Sequence, residues 1–284
     1  MADPPPELVR YELTDDGVAV VTLDDPRRLN VIGHGPDSMA EQLLRALARA
    51  DADQQARCVL LTGSGRAFSA GGDLAGTTRE SPLDWYEFLQ SNVRETEAIR
   101  EMRTPTVGAI NGMCLGFGLI LATHLDLLVA HEDATFGLIE TRAGSTGAQT
   151  LPFLIGAQWA KFLALTGEII TAAKAKEIGL VLEVLPAATF ADKALDLARR
   201  VASMPPEAVT LNRRVVNGWL TMQGWHSQRE FSLALNTVTN AMAGQARAAD
   251  GQVLVEIMRE QGWSAYKAAR DAAFDPPWLE ADNP

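Results

Sequence analysis

Two glycine-bearing segments are the first candidates for chemistry. They are Ala67 to Gly76, reading A-F-S-A-G-G-D-L-A-G, and Gly112 to Gly118, reading G-M-C-L-G-F-G. Each follows a predicted strand and precedes a predicted helix. A helix N-terminus offers unpaired N–H groups and a positive dipole end. Glycine lets a substrate come close to the main chain. Two such turns facing one cavity would form a two-donor site for a developing oxyanion. Spacing alone does not establish that site, because glycine turns after strands are common and mostly structural. Glu140 ends the run F-G-L-I-E and by itself reads as a surface turn carboxylate.

The elements that must position these segments are legible as an alternation. Val18 to Leu23, V-A-V-V-T-L, is a β-branched strand run. A helix opens at Pro36, with Ser38 and Glu41 as a capping box and Met39, Leu43, Leu44 and Leu47 as its apolar stripe. Cys58 to Thr62 is a short buried strand. Ser81-Pro82 starts one further helix, with Trp85, Phe88, Leu89 and Ile99 on its apolar side, which stops before Pro105. Val107 to Ile110 and Leu127 to Ala130 are strands. Beyond Leu151 the pattern is mostly helical. Strands alternating with helices predict an α/β core. The change near residue 200 predicts a core over residues 1–200 and a helical part over 201–284.

Composition narrows the function classes. The chain has 284 residues, 47% hydrophobic, with a formal net charge of −11. That charge argues against nucleic acid as a partner. Any anionic ligand must be met by local positive groups. Cys58 and Cys114 sit in apolar contexts and read as reduced, buried thiols. The four histidines, His34, His124, His131 and His226, show no metal-ligand spacing, so no metal is expected. The start, M-A-D-P-P-P-E, has no signal-peptide pattern, and no apolar run reaches membrane-spanning length. A cytoplasmic location, with no membrane partner, is the expectation.

Four ordered stretches carry a family resemblance: A-F-S-A-G-G-D-L at Ala67 to Leu74, T-P-T-V-G-A-I-N-G-M-C-L-G-F-G at Thr104 to Gly118, F-G-L-I-E ending at Glu140, and L-T-G-E-I-I-T-A-A-K-A-K-E-I-G-L-V from Leu165. D-P-R-R-L-N at Asp25 to Asn30 adds a fifth. Together they resemble the crotonase (enoyl-CoA hydratase/isomerase) superfamily across roughly residues 10 to 215. The resemblance implies an α/β, crotonase-like spiral of ββα units with a helical C-terminal part that mediates trimer contacts. It implies a homotrimer or a dimer of trimers. It also implies an acyl-CoA substrate, with coenzyme A as the substrate's handle and no permanently bound cofactor.

Carried over position by position, the resemblance makes the N–H groups of Gly72 and Phe117 the oxyanion donors. It places the coenzyme A contacts on Arg28, Ala70, Asp73 and Leu74, and Arg27 with Arg28 could meet the phosphates or form a solvated turn. Typical hydratases of the family use two glutamates. One falls on Glu140 and the other on Ile120, which cannot transfer a proton. A single base suffices for double-bond isomerisation, so isomerisation of an enoyl-CoA stands slightly ahead of hydration. Thioester or β-diketone hydrolysis, or a silent CoA-ester-binding role, are the competing readings. If Leu119 to Thr123 is helical, His124 lies one turn beyond Ile120 and could reach the acyl pocket, or pack as a helix-end histidine. His34, in V-I-G-H-G-P near the acyl entrance, invites the same question. The segment after Glu140 and the chain beyond Met222 depart from the family pattern.

Overall fold

The computed structural model describes residues 6–73, 79, 81–91, 93–147 and 150–279. An antiparallel hairpin of β1 (Val9–Leu13) and β2 (Val18–Leu23) leads to α1 (Met39–Ala52). The helix starts later than Pro36 because Asp37 adopts a φ of 56°. Ser38 is the N-cap, its Oγ accepting the Glu41 N–H at 3.3 Å. Such a cap contributes about 1 kcal/mol. Met39, Leu43 and Leu47 are buried, and Leu44 is half-buried at the margin of the stripe.

Three repeats of one step follow. The chain runs through a strand, takes a second strand of three residues in another layer, and returns by helix. The first step is β3 (Cys58–Gly63), β4 (Ala67–Ser69), then α2 (Pro82–Ser91) and α3 (Arg94–Glu101). The second is β5 (Thr106–Ile110), β6 (Met113–Leu115) and α4 (Phe117–Ala122). The third is β7 (Leu127–His131) and β8 (Thr135–Gly137), then a short 3-10 helix (Ile139–Ala143) and α5 (Leu151–Thr166). After these come β9 (Ile169–Thr171), α6 (Ala172–Glu177), β10 (Glu183–Leu185) and α7 (Phe190–Ala202). Helices α8 (Pro206–Met222), α9 (Trp225–Met242), α10 (Leu254–Gln261) and α11 (Trp263–Asp271) form the C-terminal part.

The long strands make a six-stranded sheet, β1-β2-β3-β5-β7-β10, parallel from β2 onward. The short ones make a four-stranded sheet, β4-β6-β8-β9, with only β9 antiparallel. The main core, including Phe68, Ile110, Leu119, Leu121 and Phe136, lies among these layers and α1. Helix α7 closes the far face of the larger sheet through Phe190, Ala194 and Ala198. The fold is thus the α/β spiral the motifs implied.

Two helices stand where the sequence predicts one between Pro82 and Pro105. The reason is that they serve different neighbours. Helix α2 packs on α9, whereas α3 packs on α1 and α4 and buries Glu95, Thr96 and Ile99. One straight rod could not present both faces.

Helix α8 is locked on by a half-buried ion pair. The Arg213 Nε donates to both Asp126 oxygens at 2.7 and 2.8 Å, and its other nitrogens reach the carbonyls of Met102 (2.5 Å) and Ile99 (2.6 Å). Asp126 in turn holds the Thr106 amide at 2.8 Å. Removing one member of this half-buried pair leaves the other short of partners, at about 1–3 kcal/mol. Arg213→Ala should lower the urea unfolding midpoint accordingly, and an unchanged midpoint would count against this lock. Among the described residues, no helix is long and apolar enough to cross a membrane.

Candidate active site

The loop from Asp25 to Asn30 is the first piece of the site. Asn30 is fully buried: its Oδ1 accepts the Asp25 amide, and its Nδ2 donates to the carbonyls of Ser64 and Ala67. These bonds pin the loop against β4. The next residues then bridge to the first glycine turn, with Ile32 N–H donating to Gly71 O at 2.8 Å and Asp73 N–H to Ile32 O at 3.0 Å. The amide of Gly72 points away from that bridge. Among the described residues, it has no acceptor.

The two glycine turns meet. Gly71 has a φ of 109°, and a Cβ there would lie 3.0 Å from Leu115 O and 3.5 Å from Phe117 N. A Cβ on Gly72 would lie 3.9 Å from the Cβ of Phe117. Gly118 packs so tightly on Ser69 that a Cβ would meet the Ser69 carbonyl at 2.7 Å. Phe117 opens α4, so its amide has no partner within the helix. The structure therefore brings the main chain at 72 and 117 side by side, with both amides free of main-chain acceptors among the described residues.

Glu140 lies beneath this junction in the 3-10 helix Ile139–Ala143. Gly116, at φ 54° and ψ −128°, leaves room for it: a Cβ there would strike Glu140 Oε1 at 2.8 Å. Ile120 and Glu140 face each other across Gly147, whose Cβ position is 3.3 Å from both Glu140 Oε1 and Ile120 Cδ1. An apolar side chain thus fills the place opposite the carboxylate. As a residue Glu140 is half-buried, but its Oε2 is sealed from solvent and has no hydrogen-bond partner. Burial pushes its pKa from 4.5 up to about 7, against smaller opposing pulls from its own main-chain N–H and the Arg270 charge.

This raised value fixes two pH dependences. A carboxylate acting as a base must be ionised, so kcat/KM should climb with pH and level off above about 7. Stability runs the other way. Between 4.5 and about 7 the folded state holds a proton the unfolded chain has lost, so stability is full below pH 4.5 and falls as pH rises through 7. The fall is at most roughly 3 kcal/mol. Urea titrations at pH 4.5 and 8, read against the Glu140→Gln variant, check it.

The other sequence candidates sort as follows. Arg28 Nη2 donates to Asp73 Oδ2 at 2.6 Å at the exposed rim. Arg27 is exposed beside it, in a 3-10 turn (Pro26–Arg28), and Ala70 N–H donates to Leu29 O at 2.9 Å. Leu74 lies outside the described residues. His124 is used elsewhere: its Nδ1 is 2.8 Å from Ile120 O and its ring is 5.3 Å from that of Trp225. Burial lowers its pKa to about 4, so the ring is neutral and packs as a helix-end histidine. His34 borders the site, its ring 5.8 Å from that of Phe117.

Sequence reasoning missed the clamp on Glu140's helix. Arg142, two residues on, pairs with Asp271 at 3.2 Å, and Asp271 also takes Arg270 at 2.8 Å. These residues lie on segments 129 positions apart, and no local pattern signals the contact. Gly116 was signalled by the G-F-G run, but its contact with Glu140 was not.

With this geometry in place, comparison with known proteins assigns the class. The chain matches the enoyl-CoA hydratase/isomerase family model over residues 14–274. It is 30% identical over 269 residues to a putative enoyl-CoA hydratase of Mycobacterium tuberculosis, covering 84% of this chain and 82% of that one. It is 32% identical over 214 residues to the 1,2-epoxyphenylacetyl-CoA isomerase of Escherichia coli, covering 72% and 79%. The crystal structure of an enoyl-CoA hydratase/isomerase from Xanthobacter autotrophicus Py2 superposes with a TM-score of 0.84 at 30% identity, covering 94% of this chain and 98% of that one. The chain belongs to the enoyl-CoA hydratase/isomerase family and has the crotonase fold. It is an acyl-CoA enzyme of that family.

Proposed function

We propose that this enzyme stabilises a thioester enolate between the N–H groups of Gly72 and Phe117, with Glu140 as the general base. The observation that carries this reading is the position of the Glu140 carboxylate. One of its oxygens, Oε2, is sealed from solvent, and the other lies against Gly116, next to the two adjoining free amides. Its raised pKa suits a base working near neutrality. Two amides aimed at the carbonyl oxygen hold negative charge best as it develops.

Within that chemistry, isomerisation of a 3-enoyl-CoA to the 2-enoyl-CoA stands ahead of hydration. Ile120 occupies the position opposite Glu140, so a second carboxylate is missing there. Coenzyme A enters as the handle of the substrate, its phosphates near Arg27 and Arg28. The exposed apolar side chains of α8 and α9, among them Val215, Trp219, Met222 and Phe231, suit contacts between subunits of a trimer.

The test is a panel of 3-hexenoyl-CoA, crotonyl-CoA and a saturated acyl-CoA, followed by mass spectrometry. Isomerisation changes retention at constant mass, hydration adds a water, and hydrolysis releases the thiol. Turnover of neither unsaturated substrate would rule the proposal out.

A further inference from the structure

Glu95 and His34 form a pair that the proposed chemistry has not used. Glu95 projects from α3 into the core, and its side chain is 2% exposed. The His34 Nε2 lies 3.6 Å from Glu95 Oε2. Both atoms are buried without a hydrogen-bond partner. Among the described residues, His34 is the one basic side chain within ion-pair range of Glu95. A buried carboxylate is costly unless a donor or positive group faces it, and the His34 ring is the group that does so.

His34 of the pair packs against the side chain of Phe117, whose amide is one of the two proposed donors. His34 is two residues beyond Ile32, the residue bridged to the Gly72 turn. Its ring sits edge-on to Phe117 at 5.8 Å and to Phe88 at 5.9 Å, which fixes its orientation. Glu140 approaches the same Gly116–Phe117 junction through its contact with Gly116.

We propose that His34, which faces Glu95, delivers the proton to C4 in this isomerisation, so that Glu140 need not carry it there from C2. This rests on the reading of Glu140 and the two amides given above. In isomerisation of a 3-enoyl-CoA, the Glu140 carboxylate takes a proton from C2. The C–H pair becomes the C1–C2 π bond, and the carbonyl π pair moves onto the thioester oxygen. As an oxygen lone pair re-forms the C=O bond, the C1–C2 π pair shifts to C2–C3, and the old C3–C4 π pair takes a proton from the His34 imidazolium at C4. Glu95 faces the cationic ring before this step. Glu140 then loses its proton to solvent and His34 regains one, so the cycle closes without any other reactant.

The test uses the whole enzyme and 3-hexenoyl-CoA. His34→Ala should lower kcat by about 100-fold or more while KM stays within about threefold. Added imidazole should restore part of the lost rate. Glu95→Gln should lower kcat in the same direction with His34 still present, and it decides the matter if His34→Ala does not fold. A kcat kept within about threefold in the folded variant tested overturns the proposal, and so does a loss in His34→Ala that imidazole leaves untouched. Glu140→Gln, run beside them, separates the two readings. An inactive Glu140 variant with a normal His34 variant sinks only this inference, whereas a normal Glu140 variant sinks the base assignment beneath it.

Discussion

Glu140→Gln is expected to reduce kcat by about 10²- to 10⁴-fold while leaving substrate binding nearly intact. The amide is the same size as the carboxylate, so the contact with Gly116 is kept. It cannot accept a proton from a carbon acid at neutral pH. The same change should abolish the fall in stability between pH 4.5 and about 7, because the neutral amide has no ionisation for burial to oppose. Steady-state kinetics and urea unfolding at several pH values read the two effects separately. Loss of activity with an unaltered pH–stability profile would mean that the carboxylate is less enclosed than its position implies.

The second large effect belongs to the main chain. Gly72→Pro removes one amide hydrogen and should cost about 2.7–4 kcal/mol of transition-state stabilisation, a loss of about 100- to 1000-fold in kcat. The bridge to Ile32 uses the Gly71 carbonyl and the Asp73 amide, so neither of its hydrogen bonds needs the hydrogen that proline removes. Gly72→Ala is the control. Its Cβ would meet only the Phe117 Cβ, at an ordinary 3.9 Å, and the N–H remains. Near-normal turnover in the alanine variant and its loss in the proline variant would locate the effect in the hydrogen. Equal activity in both would remove Gly72 from the oxyanion site.

How much of this was legible beforehand depends on how local each signal is. β2, β3, β5 and β7 are readable because each is a mostly apolar strand of five or six residues. β4, β6 and β8 have three residues each, too short to show a period. They exist because the adjoining long strands bring them into line. The single helix expected after Ser81 is two, because α9 and the α1–α4 layer demand different faces. Glu140, Gly72 and Phe117 could be named from ordered motifs. Nothing along the chain announces the Arg142–Asp271 clamp or the Glu95–His34 contact.

The amino-acid order alone determined the family, the identity of the residue at 140, the apolar residue at 120 and the glycines that let two turns close on each other. These are properties of short segments, and short segments carry their own conformational preferences. Only the tertiary structure decided that the carboxylate at 140 is enclosed, that His124 packs on Trp225 and that His34 meets a buried glutamate. Enclosure and charge pairing are set by which distant segments come to share one low-dielectric space, and no local spacing encodes that.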